Sequence, residues 1–109
     1  MKVNVIKKRN IESYIEKHST AIDGFATWLS IIKGADWKTL NDLRETIPSG
    51  DVIGGNRVIF NIGGNKYRMI CKYLFGKKTV SLYIKWIGTH AEYTKICDKK
   101  EQYTIDDYR

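Results

Sequence analysis

The sequence predicts a single α+β domain in which an N-terminal helical hairpin packs on a small, mostly antiparallel twisted sheet, with a short helix near the C-terminus. Three observations carry this. Apolar residues recur at helical spacing as far as Leu43, and the period changes to two after Arg57. A Thr-x-x-Glu capping pattern then opens a last helix at Thr89-His90-Ala91-Glu92. The 109 residues, 42% apolar and 28% charged, suffice for one core and exclude a multidomain enzyme.

In chain order, Val3, Val5 and Ile6 open a short strand. Asn10 is expected to cap a helix with Ile11, Tyr14, Ile15 and His18 on one face. A second stripe, Ile22, Phe25, Leu29 and Ile32, is broken from the first at Ser19–Thr20 and stopped at Gly34, where a left-handed cap is easy. Asp36 is expected to cap a third segment with Trp37, Leu40 and Leu43 inward, ending before Pro48. Residues 49–56, loosened by Gly50, Gly54 and Gly55, read as a loop.

Val58, Phe60 and Ile62 then alternate with polar neighbours, and Gly63-Gly64-Asn65 supplies the positive-φ residues of a hairpin turn. On the second strand Tyr67, Met69, Cys71, Tyr73 and Phe75 share one parity, while Lys66, Arg68, Ile70 and Lys72 share the other. Gly76-Lys77-Lys78 turns the chain into a third strand, Thr79 to Ile87, rich in β-branched and aromatic residues. The acidic end, Glu101 to Arg109, is expected to be a loosely held tail.

Cys71 and Cys97 form no C-x-x-C pattern and read as thiols of a reducing compartment. With His18 and His90 they lack the closely spaced ligand pairs of a structural zinc site, so no metal or cofactor is expected. No apolar stretch approaches the ~20 residues that span a bilayer, and MKVNVIKKRN lacks the apolar core of a secretory signal, so a cytoplasmic protein is expected.

The net charge of +7 is unevenly placed: residues 57–100 carry 10 basic and 2 acidic groups, whereas residues 1–56 carry 8 and 7. Such a segment favours a polyanion, although small basic domains with merely solvated surfaces are common. With helices on one sheet face, the other is expected to display Lys66, Arg68, Lys72 and Lys85, with His90 and Tyr93 beside it. Those groups fit metal-free RNA cleavage, which needs proton transfer to and from oxygen, cations for the phosphorane charge, and rings that stack a splayed base. Each also has a plain reading: His90 as a surface residue by a cap, Lys66 and Arg68 as solvated strand charges, and Tyr67, Tyr93 and Trp86 as packing.

The run from Val58 through Phe60-Asn61-Ile62-Gly63-Gly64-Asn65-Lys66-Tyr67-Arg68, then Tyr83-Ile84 and Thr89-His90-Ala91-Glu92-Tyr93, resembles the HigB-type toxins of type II toxin–antitoxin systems, similar in fold to RelE-like messenger RNA interferases. The resemblance implies endonucleolytic cleavage of translated mRNA on the ribosome by attack of the RNA 2′-hydroxyl. It also implies neutralisation by a HigA-like helix-turn-helix antitoxin, through which alone operator DNA is contacted. Carried over by position, it makes Arg68, His90, Tyr93 and Lys66 the catalytic candidates. Asn61, Asn65, Arg57, Lys72 and Lys85 are the RNA-binding ones, Asn65 equally serving the turn. The alternative is a non-catalytic module that binds RNA or the ribosome and blocks translation.

Overall fold

The computed structural model describes residues 1–108. Its sheet comprises β1 (Lys2–Ile6), β2 (Asp51–Ile53), β3 (Arg57–Ile62), β4 (Tyr67–Phe75) and β5 (Thr79–Thr89), in the order β1-β5-β4-β3-β2. β1 runs parallel to β5, and the other pairings are antiparallel. The β3–β4 turn passes through Gly63 and Gly64 at φ +63° and +69°, a region that costs glycine little. Asn65 does not share the positive φ expected of it. β2 is an element that the glycines of its loop conceal: Asp51–Ile53 pairs with Ile59–Arg57.

Between β4 and β5 the register passes from Ile70↔Trp86 to Cys71↔Ile84, which makes Lys85 the extra residue of a β-bulge. Below it Val80, Leu82 and Ile84 face the helices. Above it Ile87 takes that side and Trp86 the other.

The helices are α1 (Arg9–Lys17), α2 (Ile22–Lys33), α3 (Leu40–Thr46) and α4 (His90–Asp98). Three boundaries differ from the sequence expectation. Asn10 lies inside α1, whose N-cap position is Lys8. Gly34 closes α2 at φ −92°, not in the left-handed region. α3 starts at Leu40, because Thr39 and Asp42 form a reciprocal capping box. Asp36 is instead paired with the Met1 ammonium, which holds its carboxyl below the usual range. Trp37, ahead of α3, is fully buried and donates its indole N–H to Thr46 Oγ1 at 2.9 Å.

The main core fills the space between α1, α2 and the sheet: Ile11, Phe25, Trp28 and Ile32 pack on Val58, Phe60, Ile62, Met69, Leu82 and Ile84. Burying one such side chain contributes about 1.5–3 kcal/mol, so this layer fixes the sheet against the helices. α2 approaches the β3–β4 hairpin so closely that a Cβ on Gly24 would lie 2.6 Å from the Gly63 backbone nitrogen. Gly24→Ala is therefore expected to destabilise the fold by about 1–3 kcal/mol in urea denaturation. Gly34→Ala, whose Cβ meets nothing nearer than 3.9 Å, should be neutral or slightly stabilising.

Candidate functional site

The sheet face away from α1 and α2 carries three cross-strand rows on β3, β4 and β5. Asn61, Arg68 and Gly88 form the first row, at the hairpin end; Ile59, Ile70 and Trp86 the second; and Arg57, Lys72 and Tyr83 the third. This face is not left bare, as the sequence led us to expect. Ile59, Ile70 and Trp86 make a second small core, covered by Ile53, Tyr93, Ile96 and Ile105. α4 and the segment after it therefore roof the middle row, and the open groups lie toward the ends.

Nor is the acidic end loose where it is described. Arg57 donates to the carbonyls of Gln102 and Ile105 at 3.2 and 2.7 Å. Lys85 pairs with Asp106 at 3.4 Å, and the Asp107 N–H donates to the Lys85 carbonyl at 2.8 Å. Backbone carbonyls and a carboxylate thus compensate two of the expected RNA-binding cations. Burial moves the Arg57 guanidinium below its ordinary range, and Asp106 opposes that shift. Lys72 stays exposed beside Tyr83 and Lys85.

At the hairpin end the other candidates converge. Arg68 is 8% exposed, and its guanidinium donates to the Tyr67 carbonyl at 3.0 Å and to Asn65 Oδ1 at 3.4 Å. Neither of the two ion pairs among the described residues includes Arg68, so its charge is buried without a carboxylate. Asn61 stands directly opposite it on β3. The His90 N–H donates to the Lys66 carbonyl at 3.0 Å, which ties the hairpin loop to the start of α4 and brings exposed Lys66 and exposed His90 together.

The capping box sets that helix start. Thr89 Oγ1 accepts from the Glu92 N–H at 3.2 Å, and Glu92 Oε1 accepts from the Thr89 N–H at 2.8 Å. One turn on, Tyr93 packs against Trp86 with ring centroids 6.2 Å apart. Burial chiefly, and then the Cys97 thiol, raise the Tyr93 phenol, while nearby Arg68 pulls it down. Tyr93 therefore presents a neutral hydroxyl, a hydrogen-bond donor rather than a base.

Sequence reasoning missed Gly88. A Cβ there would lie 2.4 Å from the Trp86 ring and 3.0 Å from Glu92 Oε1, so the indole lies across bare backbone beside Arg68. The available signal was the break in period between Ile84 and Ile87. Cys71 and Cys97 are free thiols, and among the described residues no three His, Cys, Asp or Glu side chains converge. His18 belongs to the frame: its ring stacks on Tyr14 at 4.1 Å, and Tyr14 meets Tyr67 edge-on at 6.1 Å. Tyr67 in turn is hydrogen-bonded to Thr20.

A five-stranded mixed sheet with an N-terminal helical layer and a short C-terminal helix is the architecture of a RelE-like toxin domain. Residues 22–96 match the family model described as HigB_toxin, the RelE-like toxic component of a toxin–antitoxin system, and the chain belongs to that family. No curated protein matches the chain. None of the described helices is long and apolar enough to cross a membrane. Family membership makes an antitoxin the expected partner in general terms.

Tyr14, below α4, gives a pH test of this frame. Burial, and then the charge of Glu92, push its phenol from 10.0 to about 12, and its hydroxyl is buried without a partner. A raised folded pKa contributes stability that is fully present below the unfolded value near 10.0 and is lost as pH rises through about 12. Tyr14→Phe should be neutral or slightly stabilising at pH 7 and should gain on the wild type across that alkaline window, read from urea midpoints at each pH.

Proposed function

We propose that the protein is an mRNA interferase that cleaves translated message on the ribosome by metal-independent attack of the RNA 2′-hydroxyl, with its chemistry at the hairpin end of the sheet. The observation that carries this reading is Arg68: a guanidinium 8% exposed, aimed by Asn65 and the Tyr67 carbonyl and in no ion pair among the described residues, beside an exposed histidine at a capped helix start. A buried, unpaired cation is costly to a fold, and an anionic ligand is what compensates it.

In the proposed step the 2′-oxygen bonds to phosphorus as its proton leaves to a base, and the P–O5′ bond breaks as the 5′-oxygen gains a proton. The products are a 2′,3′-cyclic phosphate and a 5′-hydroxyl. Arg68 and Lys66 stabilise the charge on the non-bridging oxygens, and His90 exchanges the proton. Tyr93 donates a hydrogen bond or stacks on the attacked base. Asn61 and Asn65 line the approach, and exposed Lys72, beyond the roofed middle row, is a separate RNA contact at the far end of the sheet. Arg57 and Lys85 serve this reading by holding the chain that roofs the middle row. A HigA-like antitoxin neutralises the protein, and operator DNA is met only through that complex.

Primer extension on a reporter message after brief induction tests the reading. Wild-type protein should create new 5′ ends within the translated region, lost when the start codon is removed. Arg68→Ala should reduce cleavage about 10²–10³-fold, as for loss of one positioned donor to a transition-state oxyanion. His90→Ala should also reduce it, and both variants should show cooperative unfolding near the wild-type midpoint. Growth arrest with intact message would instead support a non-cleaving binder of the translation machinery.

A further inference from the structure

We propose that the outer edge of β1, with the groove between it and α2, receives an extended acidic segment of the antitoxin, which adds to the sheet as a strand. This rests on the toxin reading above and deepens it by placing the partner. β1 ends the strand order, and its inner side is paired with β5. Outside, only the start of the strand is occupied: Lys2 bridges Asp36, and the Trp37 N–H donates to the Met1 carbonyl at 2.9 Å. Backbone groups alternate sides along a strand, so if Met1 points outward then Val3 and Val5 do too. Past that contact no further strand among the described residues covers the edge.

Beside this edge lies a cleft of about 750 Å³ in which Val3, Val5, Ala26 and Leu29 stand beside the polar Asn4 and Ser30, with Lys8 and Lys33 at its rim. An unpaired edge beside a trough of mixed polarity can accept an added strand: main-chain hydrogen bonds supply affinity, and alternate side chains, polar as well as apolar, enter the trough. Charge selects the occupant. Residues 1–10 hold Lys2, Lys7, Lys8 and Arg9, the one acid bridged to this edge is Asp36, which the Met1 ammonium neutralises, and neither Lys8 nor Lys33 has an ion pair among the described residues. Two such edges repel each other, which disfavours a second copy of this chain and favours a segment rich in Asp and Glu. β1 and Lys8 lie outside the family match, whereas the α2 wall of the cleft lies within it.

β1 is separated from β4 by β5 and pairs with its Thr79–Tyr83 half, whereas Arg68 lies opposite Gly88. A partner strand here would leave Arg68 and His90 open and would act by bulk, keeping the protein from its site of action.

The test is neutralisation by the antitoxin encoded beside this chain. Lys8→Glu/Lys33→Glu reverses both rim charges on exposed residues, and Val5→Pro removes an outward N–H without touching the β5 ladder. Both should still arrest growth, escape rescue by co-expressed antitoxin, and bind it roughly tenfold or more weakly. Hydrogen exchange on the purified wild-type complex should show the Val5 amide newly protected, a reading that holds even if Val5→Pro misfolds. Rescue of both folded variants as efficient as for the wild type, or an unprotected Val5 amide, would overturn the proposal. A folded charge-reversed variant that binds antitoxin normally but no longer arrests growth would also overturn it, assigning this edge to the ribosome. A wild-type protein that arrests nothing refutes the toxin reading itself.

Discussion

The facing of Trp86, Gly88 and the start of α4, and so their meeting with the β3–β4 hairpin, depends on the one extra residue that β5 inserts at Lys85. Side chains alternate faces along a strand, so a one-residue insertion exchanges the faces of everything beyond it. Below the bulge Val80, Leu82 and Ile84 fill the helical core. Above it Ile87 continues that core, while Trp86 turns to the opposite face, against Ile59 and Ile70. In an unbulged strand the indole would point into the helix layer, and Thr89 would start α4 from the other side of the sheet. The bulge also sets the Lys85 carbonyl where the Asp107 N–H reaches it, so the feature that turns the strand anchors the chain returning over it.

Two cores of unequal size follow, and they do different work. The larger makes the sheet a rigid platform. The smaller fixes α4 over the middle row, which aims its first turn at the hairpin loop. Side chains locked by packing and capping keep their geometry when a ligand arrives, and preorganisation of that kind makes an electrostatic site effective. The His90 N–H to Lys66 carbonyl bond is the seam between two units, a glycine hairpin held by α2 and a capped helix held by Trp86 and Tyr93.

Much of this was legible in the residues. The period change after Arg57, the paired glycines at 63 and 64 and the Thr89/Glu92 box each express a local rule, and each element formed where its rule placed it. Asn10, Gly34 and Asp36 show where local rules lose. A helix start at Lys8 overrode the asparagine, and the Met1 ammonium, far away in sequence, claimed the aspartate. Arg68, Lys66, His90 and Tyr93 could be grouped from strand parity and the cap, and Asn61 and Asn65 joined them through the family resemblance; one hairpin and one capped helix bring these residues to the same end of the sheet. Arg57 and Lys85 could not be sorted from them, because what distinguishes them is contact with residues 102–106, and no short-range pattern encodes that contact.

That contact also changes what the charge distribution means. The segment from 57 to 100 is strongly basic, yet its cations differ in how far the chain itself compensates them. Asp106 lies on Lys85, and two backbone carbonyls lie on Arg57, so the acidic end acts as an internal counterion at the far end of the sheet. Among the described residues no acid does the same for Arg68 or Lys66. Compensating one end and leaving the other open converts a diffuse positive face into a gradient along the strands, strongest at the hairpin end, where no ion pair among the described residues offsets Arg68 or Lys66. A phosphate drawn to this face by its overall charge is therefore guided toward the hairpin end, beside His90, rather than spread over the sheet.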